Sequence, residues 1–414
     1  MLLEKYSLGI GDRFGRQGKA QLEAIIQARA LGIDLVPVWN KSFREHQIIG
    51  TQPSDTRREA EDAVQSSRFQ SNYYVDADHI NLGNVATFLD CSDFFTIDVA
   101  ESIGSACDFE DTAAFLSTTK QFLGKLEIPG IDGAFDVTDE VLSAVAETFL
   151  GAVKEAGRIY RHIRDHRGKC DFVTEVSMDE SDSPQTPMEM FFILAALAAE
   201  GIPAQTVAPK FSGRFNKGVD YVGDASRFAR EFTQDVAVLE YAKTLFELPQ
   251  NLKLSVHSGS DKFSIYGPIN QALKRFDAGV HVKTAGTTWL EELIGLAEAG
   301  DAGLVLAQDI YARAYEKSEA LCAPYATVID IDPAQLPAPA VVNTWNREQY
   351  VDALRHDTNC PHYNLHLRQL LHVGYKIAAD MGDRYDDALT TYQESISRNV
   401  TENILTRHIK PIFS

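Results

Sequence analysis

Tyr73-Tyr74-Val75-Asp76-Ala77-Asp78-His79 is the stretch on which the fold turns. Its aromatic and β-branched start reads as a strand, and its acidic and imidazole groups gather at the C-terminal end. Working outward, residues 7–10, 35–39, 94–97, 172–176, 205–208, 252–256 and 280–282 read as further strands. Helix-like segments lie between most of them, among them 18–31, 190–199 and 224–246, the last capped by Asp224. Eight strands with helical crossovers predict a closed parallel (β/α)8 TIM-type barrel. A doubly wound open sheet is the rival, but no GxGxxG follows a strand and no GxxxxGK[ST] loop is present, so no nucleotide cofactor is expected.

Two regions exceed a minimal barrel. Residues 1–302 are expected to form the barrel, with a helical insertion at about 100–170, and 303–414 a C-terminal helical extension packed on it. With 414 residues the chain is long enough for one elaborated barrel or two to three ordinary domains, and without a repeat or low-complexity linker one elaborated domain is simpler.

A formal net charge of −20 argues against a nucleic-acid partner, which needs clustered Lys and Arg. It leaves an anionic small substrate open, since a basic pocket can sit inside an acidic protein. No apolar run approaches the roughly 20 residues of a membrane span, and Met1-Leu2-Leu3-Glu4-Lys5 lacks the layout of a signal peptide. The five cysteines, Cys91, Cys107, Cys170, Cys322 and Cys360, form no CxxC pair, so neither a disulfide framework nor a thiolate zinc site is expected. The expected setting is the cytoplasm, and a homo-oligomer is left open.

The polar residues fall at one end of the strands. Strand three ends in Asp76, Asp78 and His79, and strand four in Asp98. Strand five carries Glu175 and then Asp179-Glu180, and strand seven runs into His257-Ser258-Gly259-Ser260-Asp261-Lys262. Strand eight offers His281 and Lys283. In a barrel these ends converge on one site. His79 and His257 can supply imidazole ligands, and Glu175 or another carboxylate can complete an open divalent site. Asp78 is then a partner to a ligand or a general base. Because adjacent strand residues point to opposite faces, Asp78 and His79 can share a site only where the chain leaves the regular strand.

Residues 9–15, Gly-Ile-Gly-Asp-Arg-Phe-Gly, read either as a tight turn or as a substrate loop in which Arg13 meets an anion. Lys262 and Lys283 add charge beside glycines, and the 283–287 turn can point a helix N-terminus at an anion. In the tail, His362, His366 and His372 lie near Arg368 without an HExxH glutamate, so a metalloprotease is not expected and the histidines read as solvated or capping.

These motifs resemble the tagaturonate epimerase family. The resemblance rests on residues 9–15, 76–79, 95–98, 175–180, 217–221, 257–264, 281–286 and 368–372, with HSGSDKFS and HVKTAGT the most specific pair. It implies a barrel and a divalent metal (zinc, manganese or nickel), and a ketohexuronate as substrate. Asp78 would be the proton acceptor, Glu175 the proton donor, and His79 and His257 metal ligands, with Asp220 preferred over His281 as the third. Asp12, Arg13, Asp179, Lys217, Lys262, His281, Lys283 and Arg368 would serve the substrate. Family members carry a sizeable extension before the glycine-rich loop, whereas this sequence starts almost at it. That difference is expected to touch assembly or regulation more than chemistry.

The two keto acids of that family differ at a carbon β to the ketone, whose hydrogen the carbonyl does not acidify. Two routes remain, transient oxidation, which needs a nicotinamide, and retro-aldol cleavage with re-addition; without a nucleotide fingerprint the retro-aldol route is expected. An aldose–ketose isomerase of a sugar acid and a non-catalytic sugar-acid-binding barrel are the alternatives.

Overall fold

The computed structural model describes residues 1–168, 170–284 and 286–414; Ala285, within the 283–287 turn, lies outside them. Eight parallel strands close into a barrel: β1 (Tyr6–Ile10), β2 (Val36–Ser42), β3 (Tyr74–Ile80), β4 (Phe94–Asp98), β5 (Val173–Ser177), β6 (Thr206–Ala208), β7 (Lys253–His257) and β8 (Val280–Lys283). Closure is made by β1, which pairs with β2 on one side and β8 on the other. The strands are those read from the sequence, and the TIM-type expectation holds.

Strand alternation sorts the side chains. Leu8, Ile10, Val75, Ala77, Phe95, Ile97, Val176, Leu254 and Val256 face the surrounding helices in one continuous core. The intervening residues point inward. At the floor, Val36, Val38, Tyr74, Phe94 and Val173 join Leu3 in a small apolar plug. Above it the inward positions turn polar, first Asp76, Thr96, Glu175 and His281, then Asp78, Asp98, His257 and Lys283 at the rim. Register aligns the rim: Lys283 stands beside His257, and Ser42 beside Asp78.

β3 is irregular where it matters. Its register against β4 shifts between Ala77 and Ile80, and His79 takes a left-handed backbone, φ 52°. This bulge resolves the conflict of neighbouring side chains. Asp78 and His79 both reach the barrel mouth, where His79 Nδ1 donates to Asp78 Oδ1 at 2.9 Å.

Between β4 and β5 lie helices Phe109–Thr119, Asp139–Val145 and Gly151–Arg167. A purely helical reading of this segment missed a hairpin, Gly124–Glu127 against Ala134–Val137. Lys125 and Glu127 are exposed while Leu126 and Ile128 are buried, a two-residue period, and Gly130 and Gly133 at φ 91° and 86° reverse the chain.

Helices from Asp301–Glu316 onward pack around the last barrel helix, Thr287–Ala299. Helix Gln393–Glu402 approaches it so closely that a Cβ on Gly295 would sit 2.5 Å from Ile396 Cα. No described helix is long and apolar enough to cross a membrane.

Candidate active site and metal centre

A cleft of about 430 Å³ opens at the C-terminal end of the strands. Asp78, His79, Asp98, Asp179, His257 and Lys283 line it from the barrel; Arg13 and Lys217 come from the loops after β1 and β6, and Arg44 from helix Phe43–Ile49 directly after β2. Tyr325, His372 and Tyr375 close one side, so the C-terminal extension builds part of the cleft wall.

His79, Asp179 and His257 each offer one ligand atom, all within 4.8 Å of one another. His257 Nε2 donates to Glu175 Oε1 at 2.7 Å, which leaves its Nδ1 buried, unbonded and 3.1 Å from Asp179 Oδ2. His79 is braced the same way: Nδ1 on Asp78, and Nε2 3.4 Å from Asp179 Oδ1. Two imidazoles, each held by a carboxylate on one nitrogen and turned toward Asp179 with the other, fit a divalent cation and keep positions free for substrate oxygens.

The electrostatics agree. Burial opposes charge on His79, yet Asp78 and Asp179 raise its pKa well above the usual imidazole value. Burial also opposes charge on His257, but Asp179 and Glu175 lift it to about 9. The surrounding carboxylates thus favour positive charge at this point, and a divalent cation can supply it in place of protons.

Beneath, Lys283 Nζ donates to Asp76 Oδ2 at 2.8 Å, Asp78 Oδ1 at 2.9 Å and Thr96 Oγ1 at 2.6 Å, and lies 3.1 Å from Glu175 Oε1. Burial alone would raise the Asp78 and Glu175 pKa values; Lys283, helped by His79 and His257, holds both well below the carboxylate range. Asp76, deeper, goes the other way to about 7, because burial and the neighbouring carboxylates outweigh Lys283.

Several expected site residues sit elsewhere. Asp220 is not beside the imidazoles: its carboxylate accepts from the Ser264 hydroxyl at 3.0 Å and backbone at 3.2 Å, capping helix Phe263–Phe276, and it lines a separate cavity. Asp179, expected to serve substrate, stands there instead, with a carboxylate oxygen within 4.8 Å of both imidazole ligand atoms. Asp12 is spent on the backbone N–H groups of Phe14, Arg16 and Gln17 ahead of helix Gly18–Ala30. His281 lies inside the barrel, bonded to Ser7 Oγ at 2.9 Å and pushed by burial to about 3.

Lys262 is buried against Ser260 Oγ and the Asp261 carbonyl. Arg368 is fully buried, donating to Asp261 Oδ2 and Leu354 O, both at 2.8 Å, and to Gly218 O at 2.5 Å. His356 and Thr287 also reach Asp261, at 3.1 and 3.0 Å. This hub ties the loops after β6 and β7 to the C-terminal helices. Glu175, expected as the proton donor, has no exposed surface and does not line the cleft; it lies beneath His257 and accepts from its Nε2.

Arg44, Asn40, Tyr325 and Tyr375 were missed. Arg44 was within reach of the strand-end rule, since β2 stops two residues before it. The two tyrosines carry no such signal, because they arrive from the tail. His372, read as solvated or capping, is 2% exposed and lines the cleft with its Nε2 unpartnered.

Known proteins match this architecture along its length. The tagaturonate/fructuronate epimerase of Thermotoga maritima is 27% identical over 419 aligned positions, covering 97% of this chain and 80% of its own. A glycerol-complexed crystal structure of fructuronate-tagaturonate epimerase UxaE from Cohnella laeviribosi superposes with a TM-score of 0.81 at 23% identity, covering 100% of this chain and 82% of that one. The native crystal structure of the same enzyme gives 0.79 over the same shares, also at 23% identity. The UxaE tagaturonate epimerase family model matches residues 1–411. The chain therefore belongs to the tagaturonate epimerase family, a carbohydrate-epimerase family of the isomerase class.

Proposed function

We propose that the chain interconverts D-tagaturonate and D-fructuronate by retro-aldol cleavage and re-addition, using a divalent metal and no nucleotide, in a cytoplasmic setting. The observation that carries this reading is the bulge at His79. It puts an ionised carboxylate, Asp78, next to an imidazole–carboxylate–imidazole set in one cleft.

His79, Asp179 and His257 would hold the cation, which supplies Lewis-acid polarisation of the ketone when bound. Asp78 takes the proton of the hydroxyl on the β carbon. That carbon becomes an aldehyde as its bond to the α carbon breaks, and the electron pair passes into the ketone fragment as an enediolate. Lys283 behind Asp78 keeps the carboxylate ionised and ready to accept. The aldehyde fragment turns over, the bond re-forms on its other face, and Asp78 returns the proton to the new alkoxide. Glu175 fixes the His257 ring and takes no part in the proton's path.

Two results are expected. In heavy water the inverted carbon should keep its hydrogen, since no C–H bond breaks there; deuterium at that carbon, seen by NMR or mass spectrometry, would rule out the retro-aldol route. Asp179→Asn should weaken divalent-metal affinity by more than the roughly 10–100-fold typical of outer-sphere changes, whereas Asp220→Asn should leave it within about threefold. Competition with a chromophoric chelator reads both, and the opposite ranking would restore Asp220 to the ligand set.

A further inference from the structure

Three cations meet in the cleft. Arg13, Arg44 and Lys217 line it with His372, arriving from the loop after β1, the first turn of helix Phe43–Ile49 and the loop after β6. Carboxylates line it as well, Asp78 and Asp179 beside the imidazoles and Glu180 near enough to Lys217 to favour its charge. In a chain of net charge −20, converging cations are not the default outcome of composition.

The cationic side is built. The Arg13 guanidinium lies 4.6 Å over the Tyr375 ring and Arg44 lies 5.2 Å over Tyr325, with the two tyrosine hydroxyls 3.4 Å apart. Aromatic faces hold guanidinium planes flat and leave their N–H edges for a ligand. Arg13 is already paired with Glu45. Arg44 and Lys217 form no salt bridge among the described residues; burial, Arg13 and Arg44 lower the Lys217 pKa, and Glu180 opposes them without reaching ion-pair distance. His372 sits behind them, buried and with Nε2 unpartnered. Mutually repelling cations on a braced wall are stabilised by an anion placed between them.

We infer that Lys217 and Arg44 hold the carboxylate end of the sugar acid, and so set both its direction in the cleft and the preference for an acid over a neutral ketose. The inference rests on the ketohexuronate reading above. Asp78 and Asp179 beside the imidazoles repel a carboxylate there, which leaves the substrate one orientation: acid end on Lys217 and Arg44, ketone end toward His79, Asp179 and His257, and the bond to be broken between them, beside Asp78.

The test uses Lys217→Met, Arg44→Leu and the double variant. In the double variant, the ratio of kcat/KM for D-tagaturonate to that for neutral D-tagatose should fall by about 10³-fold. A preserved ratio overturns the inference. A second readout needs no turnover: calorimetric binding of D-galactonate, an acid without the ketone, to enzyme stripped of metal. Its Kd should weaken at least about tenfold in each single variant, and an unchanged Kd overturns the inference. If the wild type binds galactonate through these residues but epimerises nothing, the reaction proposed above fails while the carboxylate site stands.

Discussion

An Asp78→Asn enzyme is expected to lose about 10³-fold in kcat, the usual scale for removing a general base, with its fold intact. The replacement is nearly isosteric. The amide oxygen can still accept from His79 Nδ1 and Lys283 Nζ, the two donors that Asp78 Oδ1 serves at 2.9 Å each. Lys283 also keeps Asp76 and Glu175 as counter-charges. What disappears is the capacity to take a proton from a substrate hydroxyl. Because the brace on His79 weakens with the lost charge, the assay belongs at saturating metal, with kcat rather than kcat/KM as the readout. Wild-type kcat would move the base to another carboxylate lining the cleft, such as Asp98 or Glu180.

The second large effect concerns stability. Arg368→Met should lower the unfolding free energy by about 3–5 kcal/mol, the range for leaving one partner of a buried ion pair uncompensated. Arg368 and Asp261 have no exposed side-chain surface, and the guanidinium also satisfies the carbonyls of Leu354 and Gly218. Urea unfolding at neutral pH measures the loss, and a change below about 1 kcal/mol would mean that the hydrogen bonds from His356 and Thr287, with His408 Nε2 3.3 Å from Asp261 Oδ1, are enough to hold the buried carboxylate. The sign with pH is fixed as well. Burial would raise the Asp261 pKa, but Arg368 and the two imidazoles hold it well below the carboxylate range. A depressed folded-state pKa contributes stability above the unfolded value, about 3.9 for Asp, and that stability is lost as pH falls through the folded value. Without Arg368 the folded-state value rises toward that of the unfolded chain, and the window closes from the acid side.

The barrel was legible because each strand carries its own signal: a short β-branched or aromatic run followed by polar residues. The hairpin at residues 124–137 was not, because its strands are short, partly exposed and set in a helix-rich segment. Within the site, His79, His257 and Lys283 were legible from strand ends, since a barrel sends those positions to one place whatever the loops do. Asp179 against Asp220 was undecidable at that level. Both lie in loops beyond a strand, and only the path of the chain brings one to the imidazoles and the other to a helix N-terminus. Lys262 and Arg368 misled for a related reason: a charged residue in a glycine-rich or histidine-rich motif serves a buried carbonyl or carboxylate as readily as a ligand.

The left-handed backbone at His79 also limits how this chemistry can be moved between scaffolds. Copying Asp78, His79, Asp179 and His257 onto an ordinary barrel strand would send either Asp78 or His79 outward among the helices. A successful graft must carry the whole seven-residue strand with its one irregularity, so the transplantable unit is a backbone shape and the residue pair is only its cargo.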